Sequence, residues 1–386
     1  MSVKLALEKF KPFVGKHCET TALKRALDYH GLSLSEEMLL GLGGGIGFIY
    51  SYMKMMPSPF IGSRYGKGTD FPINICKRIG AEVTIIETSS AKKGYEELKA
   101  LLRTGEPAVV YVDMVYLPYL ALPEMAHFGG HVIVVFGLDE ERNQVHIYDR
   151  GRNPVTASVD DLAKARGSKF PPFPPKHRML KISYPSKVGN LEEGIVESIR
   201  ECCRYMLKPP IKNIGLTGMG KWSKVVMKWP EEFEGINLLG ALMNGFIYIE
   251  IGGTGGSAFR PMYAKFLEEA SMVLNKPSLK EVAEMLGESA GVWSEIASRL
   301  LPDSWPNLAR IRHLMFEKNR IFEEQEPGAL DAMIKINGEL DELMAKGVED
   351  LRKRPISLVD VQQSIIRCCE IENRAFERLS SLVSPL

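Results

Sequence analysis

The sequence predicts an α+β domain followed by a mainly α-helical domain. Helical and strand patterns alternate over residues 1–184, whereas a helical period dominates after residue 187. Between them lies "KFPPFPPKH" (169–177), whose four prolines predict a linker or a rigid loop. The 386 residues suffice for two hydrophobic cores. We therefore predict domains at 1–186 and 187–386.

The first half contains several short elements in alternation. The helix-start and helix-stop residues predict helices over 18–30, ending before Gly31, and over 35–41, after "SLSEE". Further predicted elements, in chain order, are the strand "GFIYSYM", the helix "DFPINICKRIG", the strand "AEVTIIET", the helix "GYEELKALLRTG" and the strand "PAVVYVDM". The strands "GGHVIVVFGLD" and "QVHIYDRG" predict a hairpin that turns at Glu140–Asn143.

Helical periodicity continues through most of the second half. It is present in "LEEGIVESIRECCRYML", "RPMYAKFLEEASMVL", "LKEVAEMLGESAGVWSEIASRLL" and a charged stretch over 328–382. One interruption, "FIYIEIGGTGG", has the β-branched and aromatic residues typical of a strand.

The composition excludes several classes of function. With 45% hydrophobic residues, 25% charged residues and a net charge of +1, the chain has the balance of a soluble protein and no field that attracts nucleic acid or an anionic membrane. It contains no apolar stretch of membrane-spanning length and no signal-peptide core, so we expect a cytoplasmic location. None of the six cysteines forms a CxxC pair, and we expect no metal and no cofactor.

Cys18 is the first candidate for chemistry, because it lies where a helix is predicted to begin. Unpaired N–H groups and the helix dipole favour a thiolate at such a position. A nucleophilic thiolate also needs a base and a group that orients the base. Taken alone, a cysteine at a helix start is more often a small buried residue than a nucleophile.

His131 and Asp149 are the predicted base and orienting group. If the hairpin turns near residue 140 or 141, Asp149 lies opposite His131 or Ile133, and both registers place the imidazole and the carboxylate on one sheet face. The same alternation places His146 on the other face. His127, on the preceding loop, is the alternative base. A buried histidine with a structural hydrogen bond and a turn aspartate are the competing interpretations.

The order of cysteine at a helix start, histidine on a strand and aspartate on the next strand is that of papain-like folds. In addition, "GKHCETTALKRALDYHGLSLSEEMLLGLGGGIGFIY" and "GGHVIVVFGLD…VHIYD" resemble the N-terminal domain of the butirosin-biosynthesis protein H family. "EIGGTGGSAFRPMYAKFLEEA" resembles the helical domain of unknown function that commonly follows it.

The resemblance implies a papain-like, cysteine-peptidase-type domain in which Cys18 is the nucleophile, His131 the base and Asp149 the orienting group. It implies transfer of an acyl or aminoacyl group from a thioester, with an acyl carrier protein as one donor, to a small-molecule amine. Papain-like enzymes often place a glutamine before the cysteine to stabilise the oxyanion, but the first glutamine here is Gln144. The Cys18 N–H is one candidate donor, and Lys16 and His17 are candidates for the second. A cysteine peptidase or amidase, or a catalytically silent binding protein, remains an alternative.

Three glycine-rich stretches and one basic segment are further candidates. Gly44 and Gly45 lie in "GLGGGIGF", a flexible turn that we expect near the cleft. "GLTGMGKWS" (215–223) lacks the Ser/Thr of a phosphate-binding loop and the strand that precedes one. The stretch "EIGGTGGSAFR" is typical of tight packing between a strand and a helix, but we also predict that a polar substrate group approaches this loop. The predicted contacts are Gly253, Thr254, Gly255, Gly256 and Arg260. The segment from Lys169 to Lys187 has no acidic residue, so it is either a solvated linker or a docking segment for an acidic carrier protein.

Overall fold

The computed structural model describes residues 4–53, 56, 58–64, 66 and 68–383. The chain forms two compact units, and each is built from several segments. The first unit contains residues up to 36, 68–189 and 318–337, and the second contains 37–67, 190–317 and those after 337. The proline-rich segment 169–177 therefore lies inside the first unit as an irregular loop, not at the boundary between units. The predicted domain limits at residues 1 and 386 fall outside the described residues.

The first unit is built on an antiparallel sheet, and the alternating sequence patterns correctly predict strands and helices in this half of the chain. The strands of the described chain are β1 Lys4–Ala6, β2 Ile49–Ser51, β3 Phe60–Gly62, β4 Glu82–Ile86, β5 Ala108–Val112, β6 His131–Asp139, β7 Gln144–Tyr148, β8 Val155–Ser158 and β9 Met179–Ser183. The sheet order is β4-β9-β5-β6-β7-β8, and β1 pairs with the end of β6 at Gly137–Asp139. β2 and β3 form a separate hairpin in the second unit.

Helices of the first unit pack on the large sheet, and the second unit is mainly helical. The helices are α1 Cys18–Tyr29, α2 Glu36–Leu42, α3 Asp70–Ile79, α4 Ala91–Arg103, α5 Val159–Gly167, α6 Leu191–Leu207, α7 Gly215–Val225, α8 Trp229–Glu232, α9 Ile236–Phe246, α10 Arg260–Val273, α11 Leu279–Leu300, α12 Pro306–Glu324, α13 Ala329–Lys353 and α14 Val359–Val383. Val110, Ile133 and Ile147 point into a core that includes Leu98 of α4 and Leu162 of α5. α1 packs on β6 and β5. The α+β class is confirmed.

The predicted strand at "FIYIEI" is wrong. α9 ends at Phe246, and the chain continues as one π-helical turn over Ile247–Ile251. β-branched and aromatic residues favour strands only where a sheet offers them neighbours. Here Ile249 is buried among helices instead, so tertiary packing overrides local preference. Among the described residues, no helix is both long enough and apolar enough to span a membrane.

A buried ion pair lies in the core of the second unit, which is called the helical unit below. Arg260 donates from Nε and Nη2 to the two oxygens of Glu372, at 2.8 Å each, and both side chains are fully buried. Ser289 and Trp293 also donate to Glu372, at 2.7 and 2.8 Å. Burial opposes the charge of Glu372, but Arg260 and these hydrogen bonds outweigh it and lower the pKa of the carboxyl.

Replacing Glu372 with alanine should destabilise the protein by about 3–5 kcal/mol, because it leaves the Arg260 cation buried without a counter-ion. Urea unfolding followed by circular dichroism measures the loss. Glu377→Ala removes an exposed glutamate from the same helix and should leave the unfolding midpoint unchanged. Equal midpoints for the two variants would contradict a structural role for the pair.

Candidate active site

Cys18 is the first residue of α1, as the sequence predicts. His17 caps the helix, and its Nδ1 accepts a hydrogen bond from the Thr20 N–H at 3.4 Å. The Cys18 side chain therefore lies at the positive end of the helix dipole. Its backbone N–H is in the first turn, where helical N–H groups have no partner within the helix.

A buried carboxylate holds the turn that precedes Cys18. Glu36 accepts hydrogen bonds from the Lys16 N–H at 3.0 Å, the Thr20 hydroxyl at 2.9 Å and the Thr21 hydroxyl at 2.7 Å. A charged acceptor shared by several donors fixes a backbone turn more firmly than a neutral one does. Glu36 therefore sets the direction in which the chain enters α1.

The same turn is attached to the end of β7. The Gly15 N–H donates to the Arg150 carbonyl at 2.6 Å, and the Arg150 guanidinium donates to the Lys16 carbonyl at 3.4 Å. Arg25 of α1 donates to the Gly151 carbonyl at 2.9 Å. These bonds connect the residues before Cys18 with the residues that follow Asp149.

His131 and Asp149 form a buried hydrogen-bonded pair. β6 and β7 pair with Val134 opposite Tyr148, so continuing this register places Asp149 opposite Ile133 and diagonal to His131. The Nε2 atom of His131 lies 2.9 Å from Oδ1 and 2.8 Å from Oδ2 of Asp149. The predicted pairing on one sheet face is confirmed, and the alternation places His146 on the other face.

Asp149 is held as an anion by several donors. The Tyr119 hydroxyl donates to its Oδ2 at 2.9 Å, and the Arg150 N–H donates to its Oδ1 at 2.7 Å. Burial raises the pKa of the carboxyl, but the charge and hydrogen bonds of His131, together with Arg150, outweigh burial and lower it overall. The carboxylate is therefore available to stabilise an imidazolium.

The surroundings of His131 favour its protonated form. Burial lowers the pKa of the imidazole, but the Asp149 carboxylate and hydrogen bonds to Asp149 and Cys18 overcome burial and raise it to about 10. Because Nε2 is taken by Asp149, Nδ1 is the nitrogen left for the Cys18 thiol. The structure thus brings the three predicted catalytic side chains together in the order Cys18, His131, Asp149.

The three glycine-rich stretches that the sequence analysis singled out all lie in the second unit. Gly45 has a positive φ, and a Cβ there would lie 2.5 Å from the Tyr263 ring, so close packing and backbone conformation both require glycine. Gly44 also has a positive φ, and a Cβ there would lie 3.6 Å from the Glu201 carboxylate. "GLTGMGKWS" forms α7 instead of a phosphate-binding loop, and its Trp222 is fully buried.

The predicted substrate loop has partners of its own. Gly253, Gly255 and Gly256 have positive φ, and Thr254 is buried with its hydroxyl on the Ile249 carbonyl. The Ser257 N–H faces the Glu250 carboxylate, a negative group that the chain itself supplies. Arg260 donates four hydrogen bonds within the second unit. Two go to the Glu372 carboxylate, one to the Gly47 carbonyl and one to the Ala258 carbonyl. These contacts favour a structural role for Arg260 over a contact with substrate.

The basic segment is only partly solvated. Arg178 donates to Glu87 at 2.6 Å and lies over the Tyr111 ring, 4.8 Å from its centroid. Lys169, Lys176, Lys181 and Lys187 are exposed. Arg178 therefore has structural partners, and docking of an acidic carrier protein would depend on the lysines.

Several residues of the site carry no signal in the sequence. Tyr119 lies in a short 3₁₀ turn over Pro118–Leu120, and the sequence marks Glu36 only as part of the helix-start pattern "SLSEE". Asp113, directly after β5, accepts a hydrogen bond from His127 at 2.8 Å. Their roles depend on contacts between residues distant in the chain. No group of His, Cys, Asp and Glu within the described residues is arranged to hold a metal ion.

One equivalent of iodoacetamide at neutral pH should modify Cys18 alone. Burial raises the pKa of the other thiols, to about 12 for Cys76 and Cys369 and to about 11 for Cys202, and in the same direction for Cys203 and Cys368. Alkylation requires the thiolate, so these five should react slowly. Peptide mass spectrometry locates the adduct, and an adduct mainly on Cys369, the other half-buried cysteine, would contradict the expectation.

The fold and the site define an α+β protein with a cysteine, a histidine and an aspartate at one end of an antiparallel sheet. Residues 17–150 match the family described as butirosin biosynthesis protein H, N-terminal, and residues 160–311 match the domain of unknown function DUF4872. The two matches together confirm the resemblance to the butirosin-biosynthesis protein H family and to the domain of unknown function that follows it. No match to the chain was found among curated proteins.

Proposed function

We propose that this protein is a cysteine-dependent acyltransferase that forms an amide between an acyl thioester and the amine of a small molecule. The observation that carries the proposal is His131, a buried imidazole between the Cys18 thiol and the Asp149 carboxylate. A nucleophile, a base and an orienting group in this order are the parts that covalent acyl transfer requires. The arrangement is also that of papain-like enzymes.

In the first step, the Cys18 thiolate attacks the thioester carbonyl. The tetrahedral oxyanion develops at the start of α1, where the Cys18 N–H and the helix dipole stabilise negative charge. When the intermediate collapses, the bond to the leaving sulfur breaks and the His131 imidazolium donates its proton to that thiolate. The products are a thiol and an acyl group on Cys18.

In the second step, the amine attacks the Cys18 thioester. His131 is now neutral and accepts a proton from the attacking nitrogen, and Asp149 stabilises the imidazolium that forms. The carbon–sulfur bond then breaks, the amide leaves, and the thiolate and imidazolium return to their starting states. Water competes with the amine at this step, so exclusion of water decides between transfer and hydrolysis.

The family supports the class of substrate. The matched domain is named for a protein of butirosin biosynthesis, and natural-product assembly supplies both thioester donors and amine acceptors. We propose a small-molecule amine as the acceptor and an acyl carrier protein as one donor. The exposed lysines around 169–187 provide positive charge that complements an acidic carrier protein.

The partition between amine and water tests the proposal. The protein is incubated with S-acetyl-N-acetylcysteamine and increasing concentrations of propylamine, and the amide and free acid are quantified by chromatography. We expect the amide to replace the acid while release of the thiol depends on Cys18. Acid as the main product at every amine concentration would instead assign the protein as a hydrolase, and no thiol release would refute both activities.

A further inference from the structure

A second imidazole–carboxylate pair lies at the same end of the sheet as the first. His127 Nδ1 is 2.8 Å from Oδ2 of Asp113, and Asp113 directly follows Val112, the backbone partner of His131 across β5 and β6. The Met114 N–H also donates to the Phe128 carbonyl at 3.2 Å. The segment 127–131 therefore runs beside 112–114, and the two pairs are one strand apart.

Asp113 is held in place by several hydrogen bonds. It is fully buried and accepts hydrogen bonds from the Ser168 hydroxyl at 2.6 Å and from the Phe128 N–H at 3.0 Å, in addition to His127. A carboxylate with these donors fixes the proton of a neutral imidazole on Nδ1. Consequently the lone pair of His127 is on Nε2, the atom that points away from Asp113.

The ring of His127 is fixed and partly open to solvent. Phe170 stacks on it with ring centroids 3.4 Å apart, and the Tyr116 ring lies 5.7 Å away. The His127 side chain is 14% exposed, whereas the His131 side chain is 4% exposed. His127 can therefore meet a molecule that approaches from solvent, whereas His131 is enclosed with Cys18 and Asp149.

The proton balance of amide formation requires a second base besides His131. An alkyl amine at neutral pH is an ammonium ion, and it must lose one proton before it attacks and a second after the new carbon–nitrogen bond forms. His131 takes one proton when the thiolate is restored, because it must end as an imidazolium. One proton still has to leave the acceptor, and it needs another base.

We infer that His127 is this base: its Nε2 removes the first proton from the ammonium form of the acceptor, and Asp113 stabilises the imidazolium. The inference rests on the proposed function. It assigns acid–base chemistry to two histidines with different access to solvent. The proton passes from His127 to water after each turnover, so the cycle is closed without a further reactant.

Two amines of different basicity test the inference. Acetyl-Cys18 enzyme, formed with S-acetyl-N-acetylcysteamine, is treated at pH 7 with propylamine, an ammonium ion, or with methoxyamine, which is neutral. The measured quantity is the ratio of the two aminolysis rates. We expect His127→Gln to lower this ratio about 10²-fold, the usual size of acid–base catalysis, and Asp113→Asn to lower it in the same direction. Added imidazole should restore the ratio in His127→Ala.

His146→Gln is the matched control, because His146 lies on the opposite face of the sheet and should keep the wild-type ratio. An unchanged ratio in His127→Gln and Asp113→Asn, with the acetyl-enzyme present, would overturn the role of His127 and leave the proposed function standing. Absence of an acetyl adduct on wild-type Cys18 would overturn both. Rescue by imidazole separates a chemical role from a structural one, since free imidazole does not repair packing.

Discussion

Cys18→Ala should reduce thioester turnover by about 10⁴-fold or more, since removing the nucleophile of a covalent mechanism leaves only binding and the oxyanion donors. The half-buried Cys18 thiol is the only sulfur that the described contacts place against His131. Release of the donor thiol, followed by chromatography, measures the loss. The alanine side chain is tolerated in a first helical turn, so the fold should remain intact.

Cys369→Ala is the matched control for Cys18→Ala. Cys369 is also half-buried, but burial and nearby glutamates raise the pKa of its thiol to about 12. The control should retain wild-type turnover. Turnover that survives in Cys18→Ala and falls in Cys369→Ala would place the nucleophile in the helical unit and contradict the proposed site.

Asp149→Asn should lower turnover by about 10²–10⁴-fold, because an amide neither fixes the reactive tautomer of His131 nor stabilises its charge. Burial would then lower the pKa of His131 with no opposing carboxylate. Steady-state turnover and alkylation of Cys18 by iodoacetamide both measure the effect. Asp341→Asn, at an exposed site on α13, should change neither.

The same variant should change how stability depends on pH. The pKa of His131 is raised from 6.5 to about 10, so its contribution is complete below pH 6.5 and is lost as the pH rises towards 10. The pKa of Asp149 is lowered from 3.8, so its contribution is present above that value and is lost as the pH falls. The difference in melting temperature between wild type and Asp149→Asn should therefore be largest between these limits, at about pH 5–6. A difference that grows towards pH 10 would contradict the ion pair.

The geometry of the candidate site could be predicted because it depends on short-range rules. A hairpin turn fixes which residues share a face, so the positions of His131 and Asp149 follow from the turn at Glu140–Asn143. The β-bulge between Val135 and Gly137 shifts the register near the turn but leaves the face assignment of His131 and Asp149 unchanged. Likewise, the start of α1 at Cys18 follows from local helix-start signals.

The remaining contacts depend on positions far apart in the chain. Tyr119 reaches Asp149 across 30 residues, and Glu36 reaches the turn before Cys18 across 20 residues. The periodicity of a sequence does not predict contacts between residues so far apart in the chain. At Ile247–Ile251 the local pattern itself was misleading. Its composition is typical of a strand, but burial among helices makes it a π-helical turn.

Intact-mass spectrometry of the protein with S-acetyl-N-acetylcysteamine, before and after propylamine is added, tests the central claim most directly. We predict an acetyl adduct that peptide mapping places on Cys18, that is absent in Cys18→Ala, and that disappears as N-propylacetamide forms. An adduct on another residue, or amide formation without any adduct in the wild type and with equal rate in Cys18→Ala, would contradict acyl transfer through Cys18.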